Sequence, residues 1–169
     1  MFKATKTQAG TWGNSKALPI NSKNYSVSNP SISKDGKTMY FTRNNYLNKK
    51  GKSDDKTTWI KIYKATFSNN EWGNIKELPF NNDNYSVGHP SISADEKTLY
   101  FSSDREGGKG NLDIWYAKIN SDGTVGKPSN AGSINTAQND ITPFYHNNSD
   151  ILYFSSTGYM TLGGYDIFS

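Results

Sequence analysis

His89 and His146 are the only histidines in the 169-residue chain. Neither has an i, i+4 partner or an acidic companion at ligand spacing, so nothing in the sequence builds a metal centre around them. Carboxylates cleave glycosides as a geometric pair flanking the bond, and no pattern pairs Asp104, Glu106 or Asp140. "NSDG" and "SDDK" lack the regular Asp spacing and the downstream glutamate of a calcium loop. There is no G-x-S-x-G nucleophile turn. Zero cysteines remove thiolate zinc sites, cysteine nucleophiles and disulfides, and leave the compartment open. Asp113 and Asp166 each open a strand-like run after a glycine-rich loop. Accepting backbone N–H groups is the expected job of such an aspartate, with acid/base work the rival. The expectation is a protein without catalysis, metal or cofactor.

What must position these residues is a repeat. "NYSVSNPSIS" (24–33) and "NYSVGHPSIS" (84–93) agree at eight of ten positions, and the segments 12–41 and 72–101 agree at 20 of 30 without a gap. A weaker third copy, 125–154, follows the second after 53 residues and keeps Gly126, Pro143, Leu152, Tyr153 and Phe154. Internal repeats of this length indicate solenoids, propellers or arrays. "KTMYFT", "KTLYFSS" and "DILYFSS" are aromatic and β-branched runs of strand length, each preceded by turn residues such as Asp35-Gly36. Four strands and three turns per repeat is the pattern of a propeller blade. The fold class expected is all-β, a β-propeller of four-stranded antiparallel blades, here about three blades of a partial propeller. Strands are expected near 31–33, 38–42, 60–66 and 72–78 and at their equivalents in later copies. Residues 1–19 read as the end of a preceding blade, 20–79 as blade one, 80–132 as blade two and 133–169 as an incomplete blade three. "MFKAT" parallels "IYKAT" (62–66), and "YDIFS" parallels "LDIWY" (112–116). The chain is therefore expected to be cut from a longer propeller, or to self-associate into a two-fold, six-bladed ring.

Pro90, Ser93, Asp95, Lys97, Leu99 to Ser103, Asp113 and Ile114 carry a family resemblance. So do Pro30, Ser33, Asp35, Gly36, Lys37, Tyr40 and Phe41 in the first copy, and Pro143, Leu152 to Ser156, Gly163, Gly164, Asp166 and Ile167 in the third. The pattern resembles the TolB-like, WD-repeat-like β-propeller repeat. Two positions depart from it: Glu96 replaces the turn glycine, and residues around Lys61 replace the aspartate of "DI". "SKDGKTMYF" is also similar to the Asp-box turn of sialidases, itself a structural turn. The "GGKGNLDIW" and "LGGYDIF" segments are similar to propellers in OmpA-associated envelope proteins of Bacteroidetes-type bacteria. That resemblance implies a periplasmic or outer-membrane-associated place and a non-catalytic scaffold role, including in gliding-associated secretion complexes. The rival it leaves is a propeller that gates a prolyl-oligopeptidase-type hydrolase, or a glycosidase propeller.

A net charge of +4, from 19 basic and 15 acidic residues, is a mild excess that favours solubility and carries no nucleic-acid footprint. No run of 18 apolar residues spans a membrane. The N-terminal "MFKATKTQAGTWG" lacks the apolar core of a signal peptide, so the mature protein is expected to begin elsewhere. Partners are expected to be a protein or a cell-wall glycan, with further blades from a longer chain or a second copy. Binding on a rigid frame concentrates in loops, here 21–29, 81–89 and 135–142 with 43–58, 104–112 and 157–164. The residue before each blade proline varies on a nearly constant frame: Asn29, His89 and Thr142. With Tyr25, Tyr85, Arg43 and Arg105 these are the partner-binding candidates. Packing between blades is the alternative role for the tyrosines, and for Trp12, Trp72 and Trp115. The basic loop 43–56 is expected either to steer an acidic partner or to be a solvated surface.

Overall fold

The computed structural model describes residues 1–44, 57–160 and 162–169, so most of the basic loop lies outside the described residues. Three antiparallel sheets follow one another along the chain. The first joins β3 (Val27–Ile32), β4 (Thr38–Asn44), β5 (Ile60–Ser68) and β6 (Glu71–Glu77) in sequential order. The second repeats it with β7 (Val87–Ile92), β8 (Thr98–Ser103), β9 (Asp113–Lys118) and β10 (Ser129–Asn130). The third has β11 (Asp140–His146), β12 (Ile151–Ser156) and β13 (Asp166–Phe168). Ahead of them β1 (Phe2–Lys3) pairs with β2 (Lys16–Ala17). The only helical element among the described residues is one 3-10 turn, Gly132–Ile134. This is a partial β-propeller with three consecutive blades, as the repeat predicts.

Each blade presents an inner and an outer surface to its neighbours because strand side chains alternate. Tyr40 and Ile62 of blade one pack with Leu99, Phe101, Trp115 and Ala117 of blade two in one core. A second core holds Met39, Phe41, Tyr63 and Ala65 of blade one, covered by Met1, Leu18 and Ile20. Alternate residues of "KTMYF" thus serve two different interfaces, which is why nearly every position of the motif is constrained.

The hairpin turns explain the recurring Ser-x-Asp. The Ser33 hydroxyl donates to Asp35 (2.6 Å), which also accepts from the Lys37 N–H (2.9 Å), while the Thr38 N–H donates back to Ser33 (2.9 Å). Ser93, Asp95, Lys97 and Thr98 repeat the arrangement. Gly36 sits at a φ of 69° and Glu96 takes the same left-handed place at 59°. Most residues pay for that conformation. Glu96 recovers part of the cost by accepting a hydrogen bond from the Lys34 N–H of the neighbouring blade.

The fourth strands differ from expectation. Strand β6 is seven residues long, whereas β10 and β2 have two each. In blade two Pro128 lacks an N–H to donate, and Asn130 turns its amide to Asp113 (2.7 Å). Trp115 is buried and Trp72 packs edge-on against Phe67 at 5.2 Å, but Trp12 is 72% exposed.

Candidate functional site

The first strand of each blade is longer than the sequence predicts, because the proline lies inside it. Ser28 pairs with Thr42 and Ser31 with Tyr40, so Asn29 and Pro30 together oppose the single residue Phe41. His89-Pro90 oppose Phe101, and Thr142-Pro143 oppose Phe154, in the same way. Two residues facing one make a β-bulge, which bends a strand and re-aims its side chains. At all three bulges the residue before proline has positive φ: 50° at Asn29, 55° at His89 and 52° at Thr142. The variable residues are therefore held by the frame in one unusual backbone state. Asparagine adopts it readily, histidine less so, and β-branched threonine pays most.

Hydroxyls of one blade fix the bulge of the next. The His89 N–H donates to Thr42 Oγ1 (2.9 Å), and the Thr142 N–H donates to Ser102 Oγ (3.0 Å). Just beyond, the Ile92 N–H donates to Ser31 Oγ (3.0 Å) and the Tyr145 N–H to Ser91 Oγ (2.9 Å). The first two bonds occupy N–H groups within the bulges, and the other two occupy outward N–H groups of strands that lie at the edges of their sheets. They bring Asn29, His89 and Thr142, with Phe144 and Asn147, around one open cavity of about 420 Å³. Asn29 is exposed, whereas His89 and Thr142 are half-buried. The His89 Nδ1 is buried without a protein partner, and burial lowers the pKa of its imidazole. The neutral ring is therefore favoured. Thr142 Oγ1 is tied to Ser155 Oγ at 3.0 Å.

The other candidates gather in two aromatic–arginine pairs that do not line this cavity. The Arg43 guanidinium lies 4.3 Å from the Tyr25 ring centre and 3.7 Å from that of Tyr63. Arg105 lies 5.1 Å from Tyr85, over Phe80, Phe101 and Trp115 as well, and donates to Ser103 Oγ and the Phe80 carbonyl. Cations over aromatic faces are attracted by the ring quadrupole. Tyr85 also donates its hydroxyl to the Phe80 carbonyl (3.1 Å), so it is engaged in packing.

Asp113 is fully buried and accepts from the N–H groups of Lys109 and Gly110 and from Asn130. Asp166 accepts from the Leu162 N–H (3.0 Å). Both do the structural work expected of them. In blade one the place of Asp113 belongs to Lys61, whose ammonium lies 2.7 Å from both Glu77 and Asp83. Burial opposes the Lys61 charge, but the two carboxylates outweigh it and hold its pKa above the ordinary value.

Sequence reasoning missed a clasp made by three asparagines. Asn81 donates to the Ile62 carbonyl (2.7 Å) and accepts from the Ile62 N–H (3.1 Å). Asn135 does the same to Ile114, at 2.9 and 2.7 Å, and Asn21 to Met1. One amide side chain thus replaces a short stretch of ladder and locks each inter-blade connection to the third strand before it. The even spacing of Asn21 and Asn81 was the available signal. Among the described residues no cluster of three or more His, Asp or Glu is placed to hold a metal ion.

Geometry and register together define a partial propeller with an open cavity lined by the bulged first strands of its three blades. The structure is similar to TolB from Acinetobacter baumannii, with a TM-score of 0.51 at 20% identity, over 95% of this chain and 32% of that one. The chain thus spans about a third of that protein. No family model matches the sequence, and no curated protein does.

Proposed function

We propose that the chain is part of a non-catalytic β-propeller scaffold that binds a protein or glycan partner in the bacterial cell envelope. Residues 1–19 then belong to a preceding blade, and 20–79, 80–132 and 133–169 to three successive ones. The observation that carries this reading is the convergence of Asn29, His89 and Thr142, in one backbone state, on one cavity. An identical frame presenting three different side chains suits recognition, since the contacts vary while the geometry is fixed. The two Arg–Tyr pairs are secondary contact candidates beside it. The propeller fold shared with TolB, and the repeat's resemblance to envelope propellers, support the compartment.

Two probes test the proposal: purified peptidoglycan sacculi, and a detergent-solubilised envelope fraction from a Bacteroidetes-type bacterium. Saturable binding to either is expected, and it should weaken at least fivefold in a triple Asn29→Ala, His89→Ala, Thr142→Ala variant that keeps the wild-type circular dichroism. Peptide or glycoside turnover by the purified chain would refute the scaffold reading. Unaltered binding by the triple variant would refute the site.

A further inference from the structure

The surface of blade three that faces away from blade two is chemically unlike its counterparts. Repeat-equivalent positions are fixed by register: Phe144 pairs with Tyr153 as Ser91 pairs with Tyr100 and Ser31 with Tyr40. In blades one and two the serines at this place accept hydrogen bonds from the next blade, at 3.0 and 2.9 Å. Blade three has Phe144 there, 59% exposed, and Ile151 where Thr38 and Thr98 stand. Ile167, which pairs with Ser155, is 75% exposed, although its equivalents Ile62 and Ile114 are fully buried, Ile62 in the core shared with blade two. Blade three therefore carries an uncovered face that is more apolar than the two covered ones.

At the opposite end of the array an apolar groove of about 450 Å³ runs between β1 and blade one, with Ile32, Met39 and Trp72 among its walls. Ile32 is 51% exposed, whereas its equivalent Ile92, tucked under the preceding blade, is 7% exposed. The Asn21 clasp on Met1 makes Met1 the equivalent of Ile62, so β1 and β2 occupy third- and fourth-strand places. The first- and second-strand places beside β1 are the groove.

We propose that a second copy of this chain fills that groove with its β11–β12 hairpin. The junction is continuous with an interface the chain already makes twice within itself, between blades one and two and between blades two and three. The blade formed across it takes two strands from each copy. The partner's β1, held by its own asparagine clasp, replaces β13: it takes over the ladder to β12 that β13 makes at three pairs, and Phe2, the equivalent of Tyr63, takes the place of Phe168 beside Phe154. By the register of β4 on β5, where Tyr40 pairs with Lys64, Tyr153 of one copy lies beside Lys3 of the other. The exposed Phe144 and Ile151 are buried against Ile32. The contact is head-to-tail and reciprocal, and it closes two copies into a ring that walls the axial cavity on all sides. It does not depend on what the cavity binds.

Sedimentation equilibrium and light scattering of the full chain at micromolar concentration should give twice the 18.8 kDa protomer mass. Phe144→Lys and Ile151→Lys alter exposed side chains. Each should keep the wild-type circular dichroism and weaken association at least tenfold. Because the chain has no cysteine, a Lys3→Cys protein mixed with a Tyr153→Cys protein should form a disulfide-linked pair, and a Lys3→Cys, Asp122→Cys mixture should not. A wild-type chain that stays monomeric, or forms larger species, overturns the two-copy ring. Association that survives both lysine variants overturns the face, and absence of the Lys3–Tyr153 cross-link overturns the register.

Discussion

Replacing Asn135 by alanine tests whether the asparagine clasps hold the blades together. The Asn135 side chain is 3% exposed and makes hydrogen bonds to both backbone groups of Ile114 and to Asn130. Ile114 has no solvent exposure, so alanine leaves its N–H without a partner in the interior, while its C=O keeps the hydrogen bond from the Ala131 N–H (3.0 Å). An orphaned buried group costs about 1–3 kcal/mol. One such group places the loss at roughly 1–3 kcal/mol, a sizeable share of the ~5–15 kcal/mol that stabilises a typical domain. For a chain of this size that corresponds to a fall in Tm of roughly 2–12 °C. Urea unfolding measures the loss, and hydrogen exchange locates it: the Ile114 amide should lose protection beyond the global change. Asn135→Asp keeps the acceptor for the Ile114 N–H but cannot donate to its carbonyl, so that amide should stay protected. A cost below about 0.5 kcal/mol for the alanine variant, with Ile114 still protected, would refute the clasp.

Acid sensitivity should trace in part to His89. Its pKa is lowered on folding, so the unfolded chain binds the proton more readily, and stability is lost as pH falls from about 6.5 toward the folded value. Urea midpoints at pH 7.5 and 5.0 should differ less in His89→Gln than in the wild type, and equal differences would exclude His89. Thr142→Asn should raise stability by up to about 1 kcal/mol, because asparagine tolerates the left-handed backbone that threonine holds at 52°; thermal unfolding reads this, and a loss would mean that the Thr142–Ser155 hydrogen bond outweighs the strain. Gly110→Ala should destabilise strongly or abolish folding, since a Cβ there would stand 1.8 Å from the Gln138 carbonyl oxygen, whereas Gly126→Ala, with its nearest atom 3.6 Å away, should be mild. Comparable melting temperatures for the two would refute the close approach.

The blades were legible because their signal is redundant. Sixty-residue spacing, the Ser-x-Asp turn and alternating aromatics all point to the same strands, and Asp113 behaves as its glycine-rich approach implies. The bulges were not legible, because a proline ordinarily marks the outside or edge of a strand; here hydroxyls from the adjoining blade supply the bonds that let it stay inside. The clasps hid for a different reason. Asparagine in an Asn-rich connection reads as turn chemistry, and nothing local tells a solvated amide from one inserted into a backbone ladder. Of the seven binding candidates, three converge because their backbone state is shared. The Arg–Tyr pairs form separately, from residues about twenty positions apart.

The hydroxyl-to-amide bonds between blades all run one way: the acceptor is always on the earlier blade and the donor on the later. A stack built from such contacts is polar in the sense that a cytoskeletal filament is polar, with two ends of different chemistry. The leading end offers backbone N–H groups and the trailing end offers side chains. Two leading ends present donors to donors and cannot substitute for one another. Duplication of a unit that keeps both hydroxyls, as blades one and two do, inherits this arrow, because the copy brings acceptors for its successor and amides for its predecessor. A unit that follows blade two finds both hydroxyls in place, whereas one that follows blade three meets Phe144 where the serine stood.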